Sequence, residues 1–479
     1  MIPATVGPAS QPVDQKGCKR FEKMEGNGRI SVDGLVIGGG IAGLQAAIDL
    51  ADQGFKVLIV EKEPSIGGKM IALSKVFPTL DCASCICTPR MAAAAHHENI
   101  TIMTYVEVTQ TKRCESGFEA TILKKPRYVN EADCTGCRLC EYACPMELPH
   151  EFEGNLGMRK AIYVPFSNAI PQVALLDMDN CILCGRCETA CPTGAVNYLQ
   201  EPEEITVTAG TIILATGFEM TPIDAKEQYG QGRLRNVLSA LTIERLLAPH
   251  GPYGRMLRPS DGKIPDSVAY VQCAGSRDQS LGVSYCSRVC CMYAIKQAML
   301  LSGALPLVDI TIYYMDIRAF GKGFEQFYQN AKAMGIEFVK AKVAKITEDE
   351  EQNPIVRIEV MEEDGRVEER KHDMVVLSLG MVPAQDRDGV LPACSAEDGF
   401  IRCPEAKLAP CRTDTEGVFV AGTAAGPKDI PDSIVEAGAA AVEAAIYLRC
   451  NRWQDKATNV SGDGRPREVA DVLTSGMPS

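Results

Sequence analysis

Two stretches of this chain carry the same cysteine spacing. They are Cys134-x2-Cys137-x2-Cys140-x3-Cys144-Pro145 and, 47 positions on, Cys181-x2-Cys184-x2-Cys187-x3-Cys191-Pro192. Thiolates so spaced wrap a [4Fe–4S] cube, three from one run and the fourth crossing from the other. The expected ligands are Cys134, Cys137, Cys140 and Cys191 for one cluster, and Cys181, Cys184, Cys187 and Cys144 for the second. Zinc is the competing metal, but twin runs each closed by proline are not its usual pattern. A third group, Cys273 with Cys286, Cys290 and Cys291, reads either as ligands of a third cluster or as packed structural cysteines. For the cluster, Cys286 and Cys290 would share a helix face at i,i+4 and Cys273 would approach from a strand end. A fourth set, Cys82, Cys85 and Cys87, needs another ligand for a cluster, from Cys18 or a partner chain. The same three residues also read as a reactive thiol pair or a docking loop. Cys114, Cys394, Cys403, Cys411 and Cys450 are scattered and read as packed or surface residues, and His96 and His97 as helix residues.

These ligands need a scaffold, and the clearest signal for one lies upstream. The apolar run Leu35-Val36-Ile37 leads into Gly38-x-Gly40-x-x-Gly43, an amphipathic helix from Leu44 to Gln53 and a second apolar strand, Lys56–Val60. Such a βαβ unit lets a dinucleotide pyrophosphate reach the helix N-terminus, and Glu61, 18 residues beyond Gly43, suits the ribose hydroxyls. Two later motifs favour FAD over NAD: Ala215-Thr216-Gly217 after a strand, and Gly417–Gly422 near the C-terminal end. Flavoproteins with two dinucleotide domains use such motifs to close the distant parts of their FAD domain. They usually carry Asp after the last glycine; here it is Thr423, whose hydroxyl can still hydrogen-bond. Candidate FAD contacts are Gly38, Gly40, Ile41, Ala42, Gly43, Glu61, Lys62, Gly67, Gly68, Lys69, Ala215, Thr216, Gly217, Gly422, Thr423, Lys428, Ile430 and Pro431. A last helix capped by Asp432 or Ser433 would aim its positive end at the flavin pyrimidine. Lys428 either adds to that charge, as a flavin-tuning residue, or is a solvated loop lysine.

The whole chain fits this scaffold. Its 479 residues are 46% hydrophobic and 23% charged, enough for a sizeable core, and hold 21 cysteines. A net charge of −13 argues against nucleic acid as a partner. No apolar run reaches the roughly 18 residues of a membrane span, and the N-terminus has no secretory apolar region, so a cytoplasmic protein is expected. The expected organisation is an arm over 1–30, FAD-binding segments over 31–125, 201–265 and 381–453, and a ferredoxin-like insertion over 126–200. A second nucleotide-binding-like domain over 266–380 carries cysteines where an NAD fingerprint would sit, and 454–479 is a tail. The fold class is α/β, a thioredoxin-reductase-like two-dinucleotide-domain flavoprotein with an inserted α+β bacterial-type 2[4Fe-4S] ferredoxin domain.

Over roughly residues 32–450 the chain resembles the HdrA family, the flavin-carrying iron–sulfur subunits of heterodisulfide reductase complexes. The carriers are Gly38–Gly43, Asp81-Cys82-x2-Cys85, the twin cysteine runs, the Cys273/Cys286/Cys290-Cys291 set and Gly426-Pro-Lys-Asp-Ile-Pro-Asp-Ser433. The resemblance implies FAD that either splits electron pairs between two acceptors or passes them between clusters. It implies HdrB/HdrC-like partner subunits, a hydrogenase- or formate-dehydrogenase-linked input subunit, ferredoxin, and a homodimer within the complex. Longer HdrA proteins add an N-terminal cluster-bearing domain and a C-terminal ferredoxin domain, and the disulfide-reducing subunit has paired Cys-Cys-Gly motifs. Without these, electrons are expected to leave through the insertion or another subunit. Two other readings compete: a passive iron–sulfur relay scaffold, favoured by Thr423, and an NAD(P)H-dependent oxidoreductase of the glutamate-synthase small-subunit type, disfavoured by the missing second fingerprint.

Overall fold

The computed structural model describes residues 29–361, 365–384 and 395–459, with side chains to residue 451. Cys18 and Cys394 lie outside the described residues. The chain starts a parallel sheet with β1 (Arg29–Ile37), α1 (Ile41–Ala51), β2 (Val57–Glu61), α2 (Ala83–His96) and β3 (Ile100–Thr104). A hairpin follows, β4 (Val106–Cys114) and β5 (Gly117–Lys124). Five buried residues in a row make β2 a strand covered on both faces, as parallel sheets require. The insertion holds α3 (Leu139–Ala143), the two-residue strands β6 (Leu148–Pro149), β7 (Met158–Arg159), β8 (Ile162–Tyr163) and β9 (Leu175–Leu176), and α4 (Arg186–Ala190). The first sheet then resumes with β10 (Glu203–Leu214), which pairs with β1 over Arg29–Ile37.

After β11 (Phe218–Met220) the chain enters a second sheet. Its elements are β12 (Val237–Ser239), α5 (Ala240–Leu247), β13 (Ser267–Ala274), α6 (Cys290–Ala304), β14 (Asp309–Tyr314), α7 (Phe324–Ala333), β15 (Glu337–Glu348), β16 (Pro354–Val360), β17 (Arg366–Lys371) and β18 (Met374–Leu379). It returns through β19 (Met381–Pro383), which pairs with β11, to β20 (Val418–Val420) and α8 (Ile430–Asn459). The strand orders are β3-β2-β1-β10-β5-β4, with β20 also on β10, and β12-β18-β13-β14-β15-β16-β17.

Four expectations shift. The segment 201–265 is not wholly part of the FAD domain: β12 pairs with β18 (Val237↔Val375), and Ile243 and Leu246 of α5 join the second core. Strand β1 begins at Arg29, inside the expected arm over 1–30, because it pairs with β10 from that residue. The last helix runs through Asn459, into the expected tail over 454–479. Its cap is Asp429, not Asp432 or Ser433: the Asp429 carboxylate accepts from the Asp432 amide at 2.8 Å.

Small residues set the helix packing over the first sheet. Ala437, Ala440, Ala441, Ala444 and Ala445 of α8 are all buried with Ala46 and Ala47 of α1 in one core. Alanine at these positions lets the two backbones approach closely over Val36 and Ile213 of the sheet.

Candidate functional site

The glycine turn after β1 is built for close approach. A Cβ on Gly43 would stand 1.9 Å from the Gly38 carbonyl oxygen, so α1 must start on glycine there, whereas at Gly40 the nearest atom would be 3.9 Å away. Glu61, at the end of β2, accepts the Gly39 amide at 2.6 Å and the Glu63 amide at 2.9 Å, and burial raises its carboxyl. Those two bonds fix the turn and leave lone pairs for two hydroxyls. The Ala215 carbonyl backs Gly38, and Gly422 lies against Ala42, so the three separate motifs meet at the start of α1. The Thr216 hydroxyl oxygen is buried with no hydrogen-bond partner in the protein. An orphaned hydroxyl, an open glycine and a converging helix N-terminus together fit a bound dinucleotide.

Around this cradle, Gly68 sits over Gly40, and Ile41 and Ile430 pack against the first core. Lys69 and Lys62 both converge on Glu219 of β11, at 2.9 and 3.5 Å. Burial pulls the Glu219 carboxyl up, but the two lysines outweigh it and hold it low. Lys428 is not a solvated loop lysine: it is mostly buried and ion-paired with Glu436 in the second turn of α8. Its charge is therefore already paired with Glu436 before any flavin is considered. Thr423 and Pro431 flank this helix start.

The insertion brings its cysteines together in the crossed sets. Burial and the thiols of Cys134, Cys191 and Cys137 push Cys140 up to about 12. A pocket of about 280 Å³, counting its open side, is lined by Cys181, Cys184, Cys187 and Cys144. The repeat explains the geometry, since each helix follows a left-handed residue, Arg138 (φ 62°) before α3 and Gly185 (φ 72°) before α4. Glycine takes that conformation freely; Arg138 holds it while its guanidinium grips Glu141 at 2.7 and 3.1 Å. Among the described residues no three or more His, Cys, Asp or Glu side chains are drawn together as around a single ion. A cube meets each thiolate at a different corner and asks for a wider spread.

Cys273, Cys286, Cys290 and Cys291 also meet. Burial first, then the thiols of the other members, raise Cys290, and Cys291 is pushed up to about 11. Cys286 is not on the helix, since α6 begins at Cys290, so the shared face expected at i,i+4 does not exist. A loop carries Cys286 instead, its sulfur accepting the Arg288 amide at 3.3 Å. Gln272 and Ser276, buried on either side of Cys273, have side-chain atoms with no partner in the protein. Gly275 is no phosphate turn, because a Cβ there would meet the Thr221 hydroxyl at 2.6 Å.

Cys82, Cys85 and Cys87 do not form one ligand set. Cys82 and Cys85 are joined as a disulfide at the start of α2, where the Cys82 sulfur also accepts the Cys85 amide. Cys87, two residues on and round the helix, is buried with its sulfur 3.7 Å from the Gly67 carbonyl, and burial pushes its thiol up to about 12.

Residues 33–75 match the FAD binding domain family, 133–196 the 4Fe-4S dicluster domain and 177–445 the pyridine nucleotide-disulphide oxidoreductase family. FAD and iron–sulfur clusters are thus the cofactors of this chain. Over 430 residues, 88% of the chain, it is 47% identical to the HdrA subunit of the H(2):CoB-CoM heterodisulfide,ferredoxin reductase of Methanothermobacter marburgensis. Over 423 residues, 86% of the chain, it is 49% identical to the HdrA iron-sulfur subunit of the CoB–CoM heterodisulfide reductase of Methanocaldococcus jannaschii. The chain belongs to the HdrA family of heterodisulfide reductase subunits. It spans 65% and 64% of the length of these two relatives. Its fold is that of T. acidophilum thioredoxin reductase, with a TM-score of 0.50 at 17% identity, covering 88% of this chain and 99% of that one. Among the described residues no helix is long and apolar enough to cross a membrane.

Within this HdrA-family chain, three groups of residues gave no sequence signal. Arg245 of α5 grips Glu153 of the insertion at 3.0 Å through two nitrogens and lies over the Phe152 ring. Beside it, buried Lys296 and Glu244 are paired, with Ser74 donating to Glu244 at 2.7 Å. Burial raises the Glu244 carboxyl, but Lys296 outweighs it and holds it low. Finally, Arg277 and Tyr198 touch cysteine sulfurs directly. Single polar residues scattered between motifs carry no periodicity, so only the folded contacts reveal them.

Proposed function

We propose that this chain is the HdrA-type electron-transfer component of a heterodisulfide-reductase-like complex, in which FAD exchanges electron pairs with a donor module and three [4Fe–4S] clusters carry single electrons. The observation that carries the reading is the second sheet: where a nicotinamide nucleotide would bind, four thiols converge and the space over Gly275 is filled. The intact cradle at Gly38–Gly43 with Glu61 supports a working flavin over a passive scaffold. The residues of this chain bind and orient: Glu61 holds the turn, Thr216 offers its hydroxyl, and Asp429 caps the helix facing the cradle. Metal loading must release the protons that burial keeps on Cys140, Cys290 and Cys291.

Splitting of the electron pair between two acceptors, or its reverse, is part of the proposal, as are ferredoxin, HdrB/HdrC-like subunits and a hydrogenase- or formate-dehydrogenase-linked input subunit. A homodimer and a cytoplasmic setting complete it. Exposed Tyr142, Ile182 and Leu183 beside the insertion's cysteines support a partner docking there. The test is anaerobic purification with partners, counting iron and FAD per chain. Cys290→Ala is expected to lose one cluster's worth of iron and keep its FAD; unchanged iron overturns the third cluster. Absence of releasable FAD overturns the flavin role, and saturable NAD(P)H oxidation by the isolated chain would revive the dehydrogenase reading.

A further inference from the structure

The cysteine sulfurs differ in what else touches them. In the insertion the donors are neutral: the Leu183 amide to Cys181 at 3.3 Å, the Ala195 amide to Cys191 at 3.3 Å, and the Tyr198 hydroxyl 3.2 Å from Cys187. At the third group the sulfur of Cys273 has a full cation beside it, with Arg277 Nη1 at 3.9 Å. That guanidinium is not a chance neighbour. The same nitrogen donates to Asp316 Oδ1 at 2.6 Å, Arg318 sits 3.5 Å from that carboxylate, and the Asp316 carbonyl faces the Cys291 sulfur at 3.8 Å. The backbone is forced to the same end. Cys273 (φ 57°) and Arg277 (φ 56°) both lie in the left-handed region, which costs a non-glycine residue about 1–2 kcal/mol each. The Arg277 amide is meanwhile held by the Tyr285 carbonyl at 2.9 Å. Two strained residues bracket one turn, and its result is a guanidinium against a ligand sulfur.

We infer that Arg277 raises the reduction potential of the cluster held by Cys273, Cys286, Cys290 and Cys291; this rests on the third-cluster reading above. Reduction adds one electron to the cluster, with no bond made or broken, and Arg277 keeps its proton throughout. A fixed positive charge beside a ligand favours the more negative, reduced state, by an amount that the part-exposure of Arg277 to water reduces. Asp316 is the positioning residue: it aims the guanidinium by accepting from the same nitrogen that faces Cys273, and offsets part of its charge.

The test uses the full chain, purified anaerobically, with iron and FAD counted and each cluster titrated against potential by electron paramagnetic resonance. Arg277→Gln is expected to keep its iron and FAD, to lower the third cluster's potential and to leave the other two unmoved. At a fixed poise its reduced-to-oxidised ratio should fall on the order of tenfold, the scale of one charge a few ångströms from the site. Arg277→Lys restores most of the shift, and Asp316→Asn, which leaves the cation unneutralised, moves the potential upward. An unchanged potential in Arg277→Gln with iron retained overturns the proposal. Should that variant lose iron, a null or downward shift in Asp316→Asn overturns it instead. Failure of the underlying reading looks different: the parent chain holds only two clusters' worth of iron, and Cys290→Ala changes nothing.

Discussion

The two sheets repeat one plan with opposite chemistry at its key turn. In each, a central strand (β1 or β13) runs into a turn and a helix (α1 or α6), and the next strand (β2 or β14) ends near an acid. In the first, Glu61 accepts the backbone amide of the glycine turn; in the second, Asp316 accepts the side chain of Arg277 on the cysteine turn. Burial raises the Glu61 carboxyl, whereas at Asp316 burial is outweighed by Arg277 and the carboxyl is held low. The first turn leaves space at Gly40 for a phosphate, while the second fills it with Thr221 and offers sulfur. On the proposed reading, one architecture holds either a dinucleotide or a cluster, depending on whether the residues after the central strand present amides or thiols.

The comparison breaks most sharply at the glycines. Gly43→Ala is expected to abolish FAD retention, because its Cβ would sit on the Gly38 carbonyl at 1.9 Å. Gly275→Ala, in the second turn, also creates a clash, at 2.6 Å with Thr221, yet should retain FAD and lose only stability. Absorbance and released flavin per chain measure both. Equal FAD loss in the two variants would mean that the turns are not specialised.

What joins the halves is next in size. Lys296 and Glu244 are nearly inaccessible, and Ser74, from the first domain, completes their network, with Lys296 also donating to the Lys75 carbonyl at 2.8 Å. Lys296→Met leaves Glu244 buried without its cation, which should cost about 3–5 kcal/mol in urea unfolding. Adding Glu244→Gln should recover part of that loss, since the uncompensated charge is then gone. Thioredoxin-reductase-like halves without this clamp would tolerate the single change.

Much of this arrangement was legible before any coordinates. The first turn announced itself because Gly38-x-Gly40-x-x-Gly43 sits between two short apolar runs, and the insertion because its cysteine spacing repeats. The third group was legible as four thiols but not in its geometry, since i,i+4 spacing at Cys286 and Cys290 suits a helix that in fact starts only at Cys290. The boundary at 265 was misplaced because β12 is three residues long and runs straight into α5, too short to show a period. Cys82, Cys85 and Cys87 look equivalent in sequence, and only the helix start decides that two pair while the third turns into the core. Arg277 could not be foreseen at all, because its role depends on a left-handed backbone and an acid 39 positions away.

The smallest expected effect separates the halves by pH. His372, buried in the second half, bonds the Ser267 hydroxyl at 2.8 Å through Nδ1 and the Tyr313 hydroxyl at 2.8 Å through Nε2. Burial first, then the charge of Arg370, lower its pKa from 6.5 to about 4. Between those values the unfolded chain binds a proton at this residue that the folded chain refuses, so unfolding is favoured as pH falls. The contribution is therefore complete above pH 6.5 and lost progressively toward pH 4, amounting to about 3 kcal/mol at roughly 1.4 kcal/mol per pH unit. Urea unfolding followed from pH 7 to pH 4.5 should show the second half weakening ahead of the ferredoxin-like insertion, with His372→Gln flattening that slope. A slope unchanged in His372→Gln would assign the acid sensitivity to carboxylates instead, and the contrast between the halves would then rest on their turns alone.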